Sequence, residues 1–108
     1  MRKDEALDEI TVRERLAALP GWTGDGTEIR ARFEFDDFRG AMRFMDACVD
    51  GIEQRDHHPT WTNRYHTVEV RLTSFDAGHR VTARDFELAR FIEAVLRAQG
   101  ADFGYRRR

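Results

Sequence analysis

Apolar positions along this chain follow two periods, one near 3.6 residues and one of 2, and the two alternate. Val12, Leu16 and Leu19 recur at helical spacing behind Thr11-Val12-Arg13-Glu14, which has the pattern of a capping box, and Pro20-Gly21 closes the run. The spacing predicts a short first helix. Gly24, Asp25 and Gly26 then mark a turn between Trp22 and the stretch Ile29 to Phe35, where apolar residues alternate with Arg30, Arg32 and Glu34. That pattern predicts a hairpin with one buried face.

Asp36 or Asp37 can cap the next segment, in which Phe38, Ala41, Met42, Met45, Cys48, Val49 and Ile52 recur at three- and four-residue spacing. It is the longest predicted helix and runs to about Arg55. Trp61 opens a second extended region, where Val68, Val70 and Leu72 alternate with Glu69 and Arg71. A loop from Phe75 to Arg80 follows. Thr82-Ala83-Arg84-Asp85 is a second start of capping-box type, ahead of Leu88, Phe91, Ile92, Val95 and Leu96 at helical spacing up to Gly100.

Helix, two strands, long helix, two strands and helix, joined by short connections, suit antiparallel pairing rather than parallel crossovers. The expected fold class is α+β, with helices on one face of an antiparallel sheet. We expect one domain over residues 1–108, with residues 100–108 as a frayed tail.

Composition narrows the classes of function. The chain has 108 residues, 41% hydrophobic and 35% charged, which is enough for a modest core without metal or disulfide staples. Eighteen basic against 20 acidic side chains leave a net charge of -2, which gives no overall attraction to nucleic acid or anionic membranes. Cys48 is the only cysteine, so neither an internal disulfide nor a thiolate metal cluster can form, and a reducing cytoplasm is the expected location. No apolar stretch has the length of a signal peptide or a membrane span.

Asp56-His57-His58-Pro59-Thr60-Trp61 is the densest group of titratable residues. It lies just past the predicted end of the long helix, where Pro59 stops the helix and the carbonyl-rich terminus favours an imidazolium. One neutral and one protonated imidazole would supply a base and an acid to the same small molecule, as a dehydration requires. From spacing alone, two polar loop residues capping a helix are an equal reading. Zinc is a weaker one, because no cysteine is near and His66 and His79 lack ligand spacing. His66 shares parity with Val68, Val70 and Leu72 and is expected at the core margin. Tyr65 is expected to pack on the sheet, and Trp61 and Phe75 either flank a flat heterocycle or simply pack. His79 is expected as an exposed loop residue, and Arg106-Arg107-Arg108 as a solvated end.

The chain resembles the pterin-4a-carbinolamine dehydratases, also known as dimerisation cofactors of a homeodomain transcription factor. The resemblance rests on Leu19 to Trp22, Phe33 to Phe38 with Ala41 and Phe44, Glu53-Gln54-Arg55-Asp56-His57-His58-Pro59, Tyr65, the Val68, Val70, Leu72 row, Asp76-Ala77-Gly78, Val81-Thr82, Asp85, Leu88-Ala89 and Phe91-Ile92. It implies a four-stranded antiparallel sheet with three helices packed on one face, self-associating as a homodimer or homotetramer. It also implies dehydration of 4a-hydroxytetrahydropterin to quinonoid dihydropterin, with no metal and no organic cofactor. Carried over residue by residue, His57 and His58 are the catalytic histidines. Glu53, Asp56, Pro59, Trp61, Phe75 and Asp85 are the substrate-binding residues.

One position departs from the pattern. The family carries a histidine, sometimes a tryptophan, ten residues after the tyrosine, and here that place is Phe75. A phenyl ring can stack on a pterin but cannot exchange a proton. The loop between Asp76 and Asp85 is also one residue longer and contains His79. A non-catalytic scaffold of the same fold, binding partners or assisting assembly, is therefore the alternative to the enzyme.

Overall fold

The structure, a computed structural model, describes residues 4–107. Its elements run α1 (Glu9–Ala17), β1 (Thr23–Gly24), β2 (Ile29–Phe35), α2 (Phe38–Arg55), β3 (Thr60–Arg64), β4 (Thr67–Leu72), a 3₁₀ turn (Phe75–Ala77), α3 (Ala83–Phe103) and β5 (Tyr105–Arg106). Three helices and an antiparallel sheet make an α+β fold, as the two periods predict. The strands lie in the order β1-β2-β4-β3, and β5 also pairs with β2. β1 lies against Ile29 and Arg30 while β5 lies against Glu34 and Phe35, so the two short strands share one flank of β2 at opposite ends. The sheet is thus four lanes wide with five strands.

The pairing of β2 with β4 sets the core. Ile29 faces Leu72, Ala31 faces Val70 and Phe33 faces Val68, so the apolar member of each alternation lands on the same side. All six are buried, whereas Arg30, Arg32, Glu69 and Arg71 on the other face are exposed. Phe44, Cys48 and Ile52 of α2 and Leu88, Ala89, Ile92 and Leu96 of α3 complete the buried layer. Gly51 lets the two helices approach, because a Cβ there would collide with the Phe91 ring.

Two boundaries differ from expectation. The first helix is capped by Asp8, whose side chain accepts from the Thr11 N–H at 2.7 Å, so Thr11 sits inside the first turn instead of starting it. Asp8 sets the helix start three residues earlier, which leaves Thr11 as the donor to the cap and not as the cap itself. The tail is not frayed over the described residues: α3 continues to Phe103, Gly104 turns left-handed at φ 65, and Tyr105–Arg106 pairs with β2. The glycine that reads as a stop at residue 100 is a packing site, where the Tyr105 ring closes on the helix. Arg108, the last of the three terminal arginines, lies outside the described residues.

Candidate active site

Asp56 ends α2 in the left-handed conformation, φ 48 and ψ 42, with its N–H on the Glu53 carbonyl at 3.1 Å. That turn reverses the chain so that the next residue, His57, points inward and is only 9% exposed, while His58 points out. Pro59 is half-buried and leads into β3, where Trp61 rests on the edge of the core opposite Val70.

The two imidazoles have different partners. His57 Nε2 lies 2.6 Å from Asp85 Oδ1, and both groups are buried. His58 Nε2 lies 3.0 Å from Glu53 Oε1, and both are exposed to solvent. The histidines are therefore held from α3 in one case and from the last turns of α2 in the other.

Asp85 owes its position to the helix cap. It is the N3 residue of a capping box at α3, and its Oδ2 accepts the Thr82 N–H at 2.9 Å. The same oxygen accepts the Ser74 hydroxyl at 2.9 Å. Ser74 Oγ lies 2.8 Å from Thr82 Oγ1, which itself accepts the Arg84 N–H at 3.2 Å. A hydroxyl has one proton, and Ser74 gives its own to Asp85, so Thr82 donates to Ser74. The result is a directed chain from helix N-terminus through Thr82 and Ser74 to Asp85, which then faces the His57 N–H. Asp85 is 0% exposed. Its hydrogen-bond partners, His57, Ser74 and the Thr82 N–H, all belong to the protein.

Ser74 also anchors the loop that precedes α3. Its N–H and carbonyl pair with Arg80 at 3.0 and 3.3 Å, and Gly78 closes the 3₁₀ turn onto the Phe75 carbonyl. Asp76 forms two hydrogen bonds with the Arg84 guanidinium, at 2.6 and 3.1 Å. Those bonds hold the Asp76 carboxyl below its ordinary value of 3.8, and charge at His57 acts in the same direction. Phe75, directly after Ser74, is 67% exposed, and its ring meets His79 edge-on at 4.9 Å. The loop is closed at its two ends by the Ser74–Arg80 pairing.

Other candidates fall away from this group. His66 sits in the turn between β3 and β4, half-buried against the exposed Tyr65 ring at 4.6 Å. Cys48 is buried, which pushes its thiol up to about 12 and leaves no thiolate for chemistry. Among the described residues, no three His, Cys, Asp or Glu side chains converge as metal ligands. No helix of the described residues is long and apolar enough to cross a membrane.

Thr82 is expected only as a helix cap, and Ser74 is the member of the network with no expected role. Ser74 had a signal: it continues the parity of Val68, Val70 and Leu72, which puts a hydroxyl on the buried side of the sheet.

The fold is a small α+β sandwich in which the buried His57–Asp85 pair lies at the junction of two helix ends. The sequence profile of the pterin 4 alpha carbinolamine dehydratase family matches residues 5–95, so the chain belongs to that family. It is 50% identical over 94 residues to a Rhodopseudomonas palustris protein provisionally named a pterin-4-alpha-carbinolamine dehydratase, across 82% of this chain and 92% of that one. An Opitutus terrae protein named in the same way is 39% identical over 89 residues, across 82% and 92%. The crystal structure of a transcriptional coactivator/pterin dehydratase from Brucella melitensis superposes with a TM-score of 0.79 at 35% identity, covering 84% of this chain and 98% of that one.

Proposed function

We propose that this chain dehydrates a 4a-hydroxytetrahydropterin to the quinonoid dihydropterin, with His57 and His58 as the proton carriers. The observation that carries the reading is the buried His57–Asp85 hydrogen bond. In the reaction the carbon–oxygen bond to the hydroxyl breaks, the hydroxyl takes a proton and leaves as water, the neighbouring ring nitrogen gives up a proton, and a carbon–nitrogen double bond forms. Protons and electrons balance within the substrate, so we assign no metal and no organic cofactor.

His57 commits Nε2 to Asp85, which leaves Nδ1 as the nitrogen that exchanges a proton. The carboxylate fixes the tautomer and stabilises the imidazolium as it forms. His58, held by Glu53 at the surface, is the second proton carrier. Asp56, Pro59, Trp61 and Phe75 are assigned to holding the flat ring, with the exposed face of Phe75 as the stacking surface. We further assign self-association as a homodimer or homotetramer, a cytoplasmic location, and neither nucleic acid nor membrane as a partner.

The scaffold reading retains one observation in its favour, namely that Phe75 offers no exchangeable proton where the family pattern carries a histidine. The test is a direct dehydration assay on chemically generated 4a-hydroxytetrahydropterin. A rate above the uncatalysed reaction that falls sharply in His57→Ala and His58→Ala supports the enzyme. No rate in the parent protein, and none restored by Phe75→His, makes it a scaffold.

A further inference from the structure

On the side of α3 facing α1 there is a groove of about 520 Å³, with Arg15 on one wall, Arg90 and Arg97 on the other, and Leu19 and Phe86 at its floor. The volume suits a small organic ligand. The arginines come from two separate elements, and Arg90 and Arg97 stand seven residues apart on one face of α3.

Several other arginines of this chain sit on carboxylates, as Arg71 does on Glu28 and Arg84 on Asp76. Among the described residues no carboxylate forms an ion pair with Arg15, Arg90 or Arg97. Glu93 also lines the groove, but its carboxylate accepts the Trp22 indole N–H at 2.9 Å. Arg15 lies over the Phe86 ring, 5.8 Å from its centre, which braces the guanidinium against an apolar surface. Three cations and one anion around a single groove leave it strongly positive in a chain of net charge -2. Like charges gathered this way repel one another unless an anion joins them, and forked guanidinium donors match the oxygens of a phosphate.

We propose that this groove is a binding site for a phosphate-bearing small molecule, separate from the histidine site. Asp85 and Phe86 are neighbours in the first turn of α3, yet Asp85 turns to His57 while Phe86 turns to Arg15, so one helix end serves both places on different faces. The ligand's phosphate would lie between Arg15, Arg90 and Arg97, and its organic part along the apolar stems of those arginines, above the buried Leu19 and Phe86.

The test is calorimetric titration of the full chain with inorganic pyrophosphate and with adenosine monophosphate at low salt. Succinate serves as a dianion lacking phosphate, and circular dichroism checks the fold of each variant. Saturable one-to-one binding of either phosphate is expected, weakened about tenfold by each of Arg90→Gln and Arg97→Gln, with Arg39→Gln leaving it unchanged. If neither phosphate binds saturably, if succinate binds as tightly, or if Arg39→Gln weakens binding as much as the groove variants, the assignment is overturned. None of these readouts depends on dehydration, so the groove and the histidine site fail or stand separately.

Discussion

At the scale of single residues, the site turns on what Asp85 is asked to accept. Three donors reach it, from His57, Ser74 and the Thr82 backbone, and the carboxylate is fully buried. Asp85→Asn preserves the volume but brings an amide N–H toward groups that are themselves donors. We expect a loss of about 1–3 kcal/mol in urea unfolding, since buried donors are left unpaired. If the proposed chemistry holds, dehydration should fall by about 10²-fold or more, because His57 loses the group that fixes its tautomer. Unchanged unfolding would mean that the network is not formed. His57 is marked in the sequence by the His-His-Pro block, but its pairing with Asp85 is not. Asp85 lies 28 positions away, and nothing local distinguishes an N3 carboxylate that merely caps a helix from one that also holds an imidazole.

Among the elements, the two long helices matter most, because α2 delivers the histidines from its C-terminus and α3 delivers Asp85 from its N-terminus. Their relative placement depends on Gly51 of α2, where the Phe91 ring of α3 occupies the space of a side chain. Gly51→Ala forces the Phe91 ring or the helices themselves to move, and although alanine is the better helix former, overpacking should prevail. A destabilisation of about 1–3 kcal/mol is expected in chemical unfolding; a stabilised variant would contradict the packing. The spans of the long helices and the succession of elements are largely readable, since the periods of α2, β2, β4 and α3 are unambiguous. The end of α3 was not, because Gly100 reads as a terminator while its actual use is to admit the Tyr105 ring. The start of α1 was misplaced for a related reason: Asp8 and Thr11 both fit a cap, and only the hydrogen bond from Thr11 N–H to Asp8 decides between them.

For the whole molecule, acid and association are the informative conditions. Asp8, Asp25 and Asp76 are each held below the ordinary value of 3.8, by hydrogen bonds from Thr11, from Thr27 and from Arg84 respectively. Carboxyls lowered in the folded state stabilise it fully above their unfolded value, and the contribution disappears as pH falls through the lowered folded values. Stability should therefore be insensitive to these groups near neutrality and decline below about 3.8, less steeply in Asp76→Asn; equal slopes in acid urea titrations would exclude the Asp76–Arg84 clamp as a contributor. Phe38, Val49 and Tyr65 are exposed, and β3 is an open sheet edge, so we expect copies to associate, and light scattering at micromolar concentration should give a mass above 12.6 kDa. A mass equal to a single chain would refute that assembly. The most direct measurement is the dehydration rate of 4a-hydroxytetrahydropterin with the parent chain, His57→Ala, His58→Ala and Phe75→His, each verified as folded. Catalysis in the parent, lost by about 10²–10⁴-fold in each alanine variant and raised in Phe75→His, is the predicted result. A parent rate equal to the uncatalysed reaction, with no gain in Phe75→His, would contradict it.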